Sequence, residues 1–332
     1  MKAIVFDSGS ARLDERPDPA PAPGEALVRP TLMGIAPPDL AVLAGRVVFT
    51  GVMGHEGVGV VERVNADADT RAKWEGKRVV FTPWVSCGGC NLCARGLSPQ
   101  CQARTVMGLH RRDGCFAERF TIPAANLVEV PKALADDAAL FAGVVAAAVH
   151  AARVARIEGK PFVTVLGDGA EGLVTAQVLA ALNASVRLLG ETPARFTRCE
   201  KWGIKHRHVS EVGQRRDQDI VVDCSNTPAG MDLAMHLARP RGVIITRNAP
   251  ALVPLAGLAS RPAGADLAPV VCNELHVVGA GWGNLRDGVD LLARGGVEVS
   301  SLITRRNRLS DGVGAFRSAM QPDCVRFLMG QS

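Results

Sequence analysis

Apolar positions along the chain fall into two textures, and the change comes near residue 136. Before it, short runs rich in β-branched residues are punctuated by Gly and Pro. Residues 2–6, 26–31, 58–64 and 78–81 are predicted strands, and the Pro-rich stretch from Pro17 to Pro23 is a connection. After it the pattern alternates. Helices are predicted over 136–156, 173–182 and 229–237, with strands over 162–166, 185–189, 219–224 and 242–246. Strands alternating with helices mean βαβ units and a parallel sheet, hence an α/β fold. A further helix over 285–292 and a strand over 326–329 complete the chain.

The segment Gly167-Asp168-Gly169-Ala170-Glu171-Gly172 sits between the strand over 162–166 and the helix that follows. In that setting the three glycines have distinct uses. Gly167 allows the tight turn, Gly169 lets a pyrophosphate approach the backbone, and Gly172 lets helix and strand pack closely. The helix N-terminus, with Ala170 and Glu171 beside the turn, favours an anion. The expected ligand is NAD or NADP. The residue that reads the ribose should stand at the end of the next strand, where the chain has Gly190, Glu191 and Thr192. Gly190 leaves room for a 2′-phosphate that Thr192 and Arg195 would bind, while Glu191 would repel it. The balance inclines slightly to NADP.

Cys87, Cys90, Cys93 and Cys101 form a C-x2-C-x2-C-x7-C loop. Four thiolates close a tetrahedral cage and leave no position for water, which points to one structural zinc. An iron–sulfur cluster and a disulfide pair are the rival readings.

Composition narrows the class. With 332 residues, 47% hydrophobic and 21% charged, the chain suits two folded domains. Tyr is absent, so Ala, Val and Leu must fill the cores. A net charge of +5 is small, and pairs such as Arg111-Arg112, Arg215-Arg216 and Arg305-Arg306 read as solvated surface. This argues against a nucleic-acid partner. The longest apolar stretch, 138–149, is too short to span a bilayer, and residues 1–6 are too short for a secretory core. The expectation is a cytoplasmic protein whose nine cysteines are thiols or metal ligands.

The cysteine loop and the glycine turn, in this order, resemble the zinc-containing medium-chain dehydrogenases/reductases, the alcohol dehydrogenase-like family. Gly54-His55-Glu56-Gly57-Val58-Gly59-Val60-Val61 and Asp113-Gly114-Cys115-Phe116-Ala117-Glu118 are similar to two further segments of that family, as is the entry strand from Ala20 to Val28. The resemblance covers nearly the whole chain. It implies a doubly wound Rossmann domain, residues 144–284, inserted into a β-rich GroES-like catalytic domain, residues 1–143 plus 285–332, which carries the zinc lobe 87–101. It also implies a small-molecule substrate and a homodimer or homotetramer.

The resemblance further implies a second, catalytic zinc, and here the chain departs from the pattern. The first ligand is usually a Cys where this chain has Ala36, in Gly34-Ile35-Ala36-Pro37-Pro38-Asp39-Leu40. Pro38 replaces the hydroxyl residue that relays the proton, and Phe141 stands where the third ligand would fall. Asp39 does not usually bind the metal in this family. His55 and Glu56 remain, too few for a catalytic site. One expectation is hydride exchange with a carbonyl, enone or imine without catalytic zinc, with His55 as hydrogen-bond or proton donor and Glu56 beside it. The alternatives are a conventional zinc alcohol dehydrogenase with an unusual ligand set, and a cofactor-binding protein without catalysis. Cys115 and His110 form either a reactive pair or a buried thiol and its neighbour.

Overall fold

The computed structural model describes residues 1–213, 215–247 and 266–331. They divide into two compact units, 1–140 with 303–331, and 141–247 with 266–302.

The first unit is built on strands: β1 (Lys2–Asp7), β2 (Ser10–Glu15), β3 (Glu25–Ile35), β4 (Gly51–Val52), β5 (Gly57–Val64), β6 (Arg78–Phe81), β7 (Trp84–Val85), β8 (Thr105–Met107), β9 (Arg111–Arg112), β10 (Phe120–Pro123) and β11 (Leu127–Glu129). Short helices α1 (Pro37–Leu43), α2 (Ala68–Trp74), α3 (Asn91–Ala94) and α4 (Asp136–Ala139) connect them. β3 is longer than its predicted core and anchors the main sheet, with β5 on one side and the C-terminal strand on the other. Pro30 lacks an N–H, and the β3–β5 ladder shifts register between Pro30 and Leu32. Phe and Met do much of the filling here: Phe81, Phe116, Phe120 and Met33 share one buried cluster.

The second unit runs α5 (Ala142–Ala155), β12 (Phe162–Leu166), α6 (Ala170–Ala181), β13 (Ser185–Gly190), α7 (Pro193–Lys201), β14 (Lys205–His208), β15 (Gln218–Asp223), α8 (Pro228–Leu237), β16 (Ala238–Thr246), α9 (Ala268–Cys272), β17 (His276–Gly279) and α10 (Leu285–Ala293). Its six strands are all parallel, in the order β14-β13-β12-β15-β16-β17. The chain order reverses between β12 and β15. A crevice opens outside the carboxyl ends of the strands at such a point, where dinucleotides bind. β18 (Ile303–Arg308), α11 (Gly314–Ala319) and β19 (Arg326–Gly330) return to the first unit, with β19 antiparallel to β3.

Three expectations need correction. The helix predicted over 136–156 is two, α4 and α5, broken at Leu140 and Phe141, where the chain passes between units. Apolar residues flank the break on both sides, so periodicity does not register it. The helix after the glycine turn opens at Ala170, not 173, because Gly169 already has extended N-cap geometry. The predicted division at 143/144 and 284/285 moves to 140/141 and 302/303. α10 belongs with α5: a Cβ on Gly288 would collide with the Ala142 carbonyl oxygen, and one on Gly283 with that of Ala146. Among the described residues no helix is long and apolar enough to cross a membrane.

Candidate functional site

Three groups of residues carry chemistry. The first is the glycine turn at the end of β12. Gly167 has φ +102°, and a Cβ on Gly172 would strike the Gly167 carbonyl oxygen. Nothing lies within 4 Å of a Cβ built on Gly169, so that face of the turn is open. Ala170 and Glu171 form the first turn of α6, a helix of 12 residues, and the N–H groups at its start could hold a diphosphate. A cleft of about 360 Å³ lies here, lined by Gly167, Asp168, Gly169, Gly190, Thr192 and Arg195 among others.

At the end of β13 the structure differs from the open gap that the sequence suggests at Gly190. Asp168 folds over it. Asp168 Oδ2 accepts from the Glu191 amide at 2.9 Å and the Thr192 amide at 2.7 Å, and Oδ1 accepts from Arg195 Nη1 at 2.9 Å. Arg195 is therefore a largely buried ion-pair partner, 15% exposed, rather than a solvated helix residue.

The second group lies in the first unit. Gly54 (φ +99°) precedes His55, and a Cβ there would fall 2.6 Å from Phe116 Cγ. The two signature-like segments meet at this point: the Cys115 amide donates to the Gly54 carbonyl at 2.9 Å and the Phe116 amide to that of Met53 at 2.9 Å. The turn delivers His55, 2% exposed, against Asp39, 0% exposed. Nδ1 of His55 is 3.0 Å from Asp39 Oδ1, and Asp39 Oδ2 accepts from the Ala36 amide at 2.9 Å. A carboxylate only accepts, so the ring donates through Nδ1. Nε2 lies 3.6 Å from Glu56 Oε1 and is buried with no hydrogen-bond partner among the described residues. Glu56 forms an ion pair with Arg326, whose guanidinium is pushed down to about 10 by burial and held up by Asp39. Arg326 reaches Glu56 because Gly34 has no side chain; a Cβ there would sit 3.2 Å from its Nη2.

These donors do not fit a catalytic zinc. Ala36 offers a methyl group, both Asp39 oxygens are engaged, and Glu56 is tied to Arg326. Among the described residues of this group a single imidazole nitrogen is left where three protein ligands are the norm. Cys115, fully buried, donates to the Glu56 carbonyl at 3.3 Å, and burial pushes its thiol well above its ordinary range. This supports the buried-thiol reading over a reactive pair with His110.

The third group is the cysteine loop. Cys90 caps α3, Cys93 lies within it, and Cys101 follows the short turn Ser98–Gln100. Four thiolates around one ion at about 2.3 Å would stand about 3.8 Å apart. The sulfurs here are 3.5 Å apart for Cys90–Cys93 and Cys87–Cys101, 3.8 Å for Cys90–Cys101 and 4.0 Å for Cys87–Cys93. The set fits one tetrahedral ion, and a cluster of several irons would hold the thiolates farther apart. The Gly89 amide and the Cys101 thiol pull Cys87 down to about 6, which favours the thiolate that a metal needs.

Sequence reasoning missed Asp168 and Arg326. Asp168 is the variable second position of the glycine motif, and Arg326 lies 270 residues from Glu56. It also missed Arg247, which is buried after β16 and donates to Thr175 Oγ1 at 2.7 Å.

Comparison with known proteins agrees with this geometry. Residues 22–132 match the alcohol dehydrogenase GroES-like domain. L-galactonate-5-dehydrogenase of Escherichia coli K12 is 31% identical over 245 residues, 70% of this chain and 71% of that protein. The chain belongs to the zinc-type, medium-chain alcohol dehydrogenase-like family. Among solved structures, a putative zinc-binding dehydrogenase of Sinorhizobium meliloti 1021 bound to NADP is 25% identical, with a TM-score of 0.84 over 99% of this chain and 98% of that one. A short chain alcohol dehydrogenase of Escherichia coli CFT073, solved with NADH, shares the fold at 24% identity and a TM-score of 0.86 over 99% of each chain.

Proposed function

We propose that this protein is an NAD(P)-dependent oxidoreductase that exchanges hydride with a small carbonyl, enone or imine, holds zinc only at Cys87, Cys90, Cys93 and Cys101, and works without a catalytic zinc. The observation that carries this reading is the donor set around His55: among the described residues Nε2 has no hydrogen-bond partner, while Ala36, Asp39 and Glu56 offer nothing further to a metal. The turn at Gly167, Gly169 and Gly172, with Ala170 and Glu171 opening α6, is the diphosphate cradle. A bound nicotinamide supplies or takes the hydride. Asp39 holds the His55 ring through Nδ1, so Nε2 is the atom that accepts the substrate's proton on oxidation and returns it on reduction. Glu56, held by its ion pair with Arg326, stands 3.6 Å from Nε2. Conjugated double bonds and imines suit the site because they need no Lewis acid.

The test is a panel of carbonyls, enones and imines assayed with NADH and NADPH, before and after dialysis against a chelator too weak to strip a four-thiolate site. Turnover of at least one class, unchanged by the chelator, is expected. Turnover lost on chelation and restored by zinc would return the protein to metal-assisted alcohol chemistry. Cofactor binding with no turnover on any class would favour a non-catalytic role.

A further inference from the structure

We propose that Asp168 sets the choice of cofactor, and that the cleft takes NAD(H) in preference to NADP(H). This rests on the dinucleotide reading above. The usual place for a ribose-reading acid, the end of the second strand, holds Gly190. The space above Gly190 is nonetheless full: a Cβ built there would lie 2.5 Å from both Cβ and Oδ2 of Asp168. An acid at 190 and the observed Asp168 cannot coexist. The carboxylate reaches the same spot from the glycine turn.

The groups that a 2′-phosphate would recruit are the ones Asp168 already uses. They are the amides of Glu191 and Thr192 and the guanidinium of Arg195, at 2.7–2.9 Å. A phosphate monoester carries up to two negative charges at neutral pH. Placed here it would meet a carboxylate that is 7% exposed and so poorly screened by solvent. It would also have to compete with Asp168 for the Glu191 and Thr192 amides and Arg195 Nη1. A 2′-hydroxyl faces neither obstacle. Asp168 Oδ1 accepts one hydrogen bond from Arg195 and keeps a lone pair for a ribose hydroxyl. The sequence pattern inclines to NADP because Thr192 and Arg195 look able to bind phosphate; the structure turns the Thr192 amide and Arg195 Nη1 onto Asp168.

The experiment is equilibrium binding of NADH and NADPH to the full chain, read from nucleotide fluorescence and needing no substrate. The wild type is expected to bind NADH about tenfold tighter or better. Asp168→Asn keeps the shape and removes the charge, and NADPH should gain about tenfold on NADH. Adding Arg195→Ala to that variant should take the NADPH gain away. Circular dichroism checks that both variants are folded, and the wild-type ratio stands without them. Equal or tighter NADPH binding by the wild type overturns the proposal and leaves the dinucleotide site intact. So does an Asp168→Asn change that moves both cofactors alike. Binding of neither cofactor overturns the dinucleotide reading itself, and this proposal with it.

Discussion

His55 and Asp39 form a fully buried pair in which the imidazole Nδ1 stands 3.0 Å from Asp39 Oδ1. The other Asp39 oxygen holds the Ala36 amide, so the carboxylate is held from both sides and anchors the ring through Nδ1. In the proposed mechanism that geometry leaves Nε2 as the working atom. If it moves the substrate proton, His55→Asn should lower kcat by about a hundredfold with cofactor binding unchanged, since positioned acid–base catalysis supplies about that factor or more. Asp39→Asn should lower kcat and shift the pH profile of kcat, a change that a merely structural role would not produce. Steady-state kinetics across pH, with nucleotide fluorescence for binding, checks both.

The cysteine loop should be a structural clip. Cys101 is fully buried and closes the set. Cys101→Ser should lose the ion and lower the thermal midpoint, because binding energy at such a site is folding energy. Elemental analysis beside a melting curve tests this: zinc retained in full by the variant would remove Cys101 from the ligand set.

Gly288 is a packing requirement. Helix propensity alone would favour Ala there by about 1 kcal/mol. The Ala142 carbonyl oxygen occupies the space that a Cβ would need, and the atom is backbone. Gly288→Ala should therefore destabilise, by about 2 kcal/mol, the usual cost of overpacking. A urea titration reads the sign directly; a stabilised variant would contradict the close α5–α10 crossing.

Thiol reactivity should follow burial. Cys199 and Cys224 are pushed up to about 11, and Cys115 well above the ordinary thiol range, each first by burial. At pH 8 a thiol at 11 is about one part in a thousand thiolate, and the thiolate is the nucleophile. Iodoacetamide should label exposed Cys272 in the native, metal-loaded protein and spare the other three. Raising the pH toward 11 should begin to release Cys199 and Cys224, since the folded group loses its proton only there. Mass spectrometry of tryptic peptides reports this.

Much of the fold was legible because its signals are local. β12, the glycine turn and α6 announce themselves in adjacent residues, as do the four cysteines. β14 and β17 were not legible. β14 reads Lys205-His206-Arg207-His208, an edge strand whose polar residues show no inward apolar face. β17 is likewise an edge strand, mostly exposed. The candidate site divides the same way. Ala36 and Phe141 mark the departure from the family's usual ligand pattern in the sequence itself. Arg326 and Asp168 acquire meaning only from tertiary contacts, one across 270 residues and the other through a carboxylate folded onto a neighbouring strand end.

On the proposed function this chain keeps the family's structural metal and does without a catalytic one. The most direct measurement is zinc per chain, by elemental analysis of protein purified without chelator. One zinc, lost in Cys101→Ser and unaffected by His55→Asn, is the result predicted. Two zincs, with one lost in His55→Asn, would make His55 a metal ligand and overturn zinc-free catalysis.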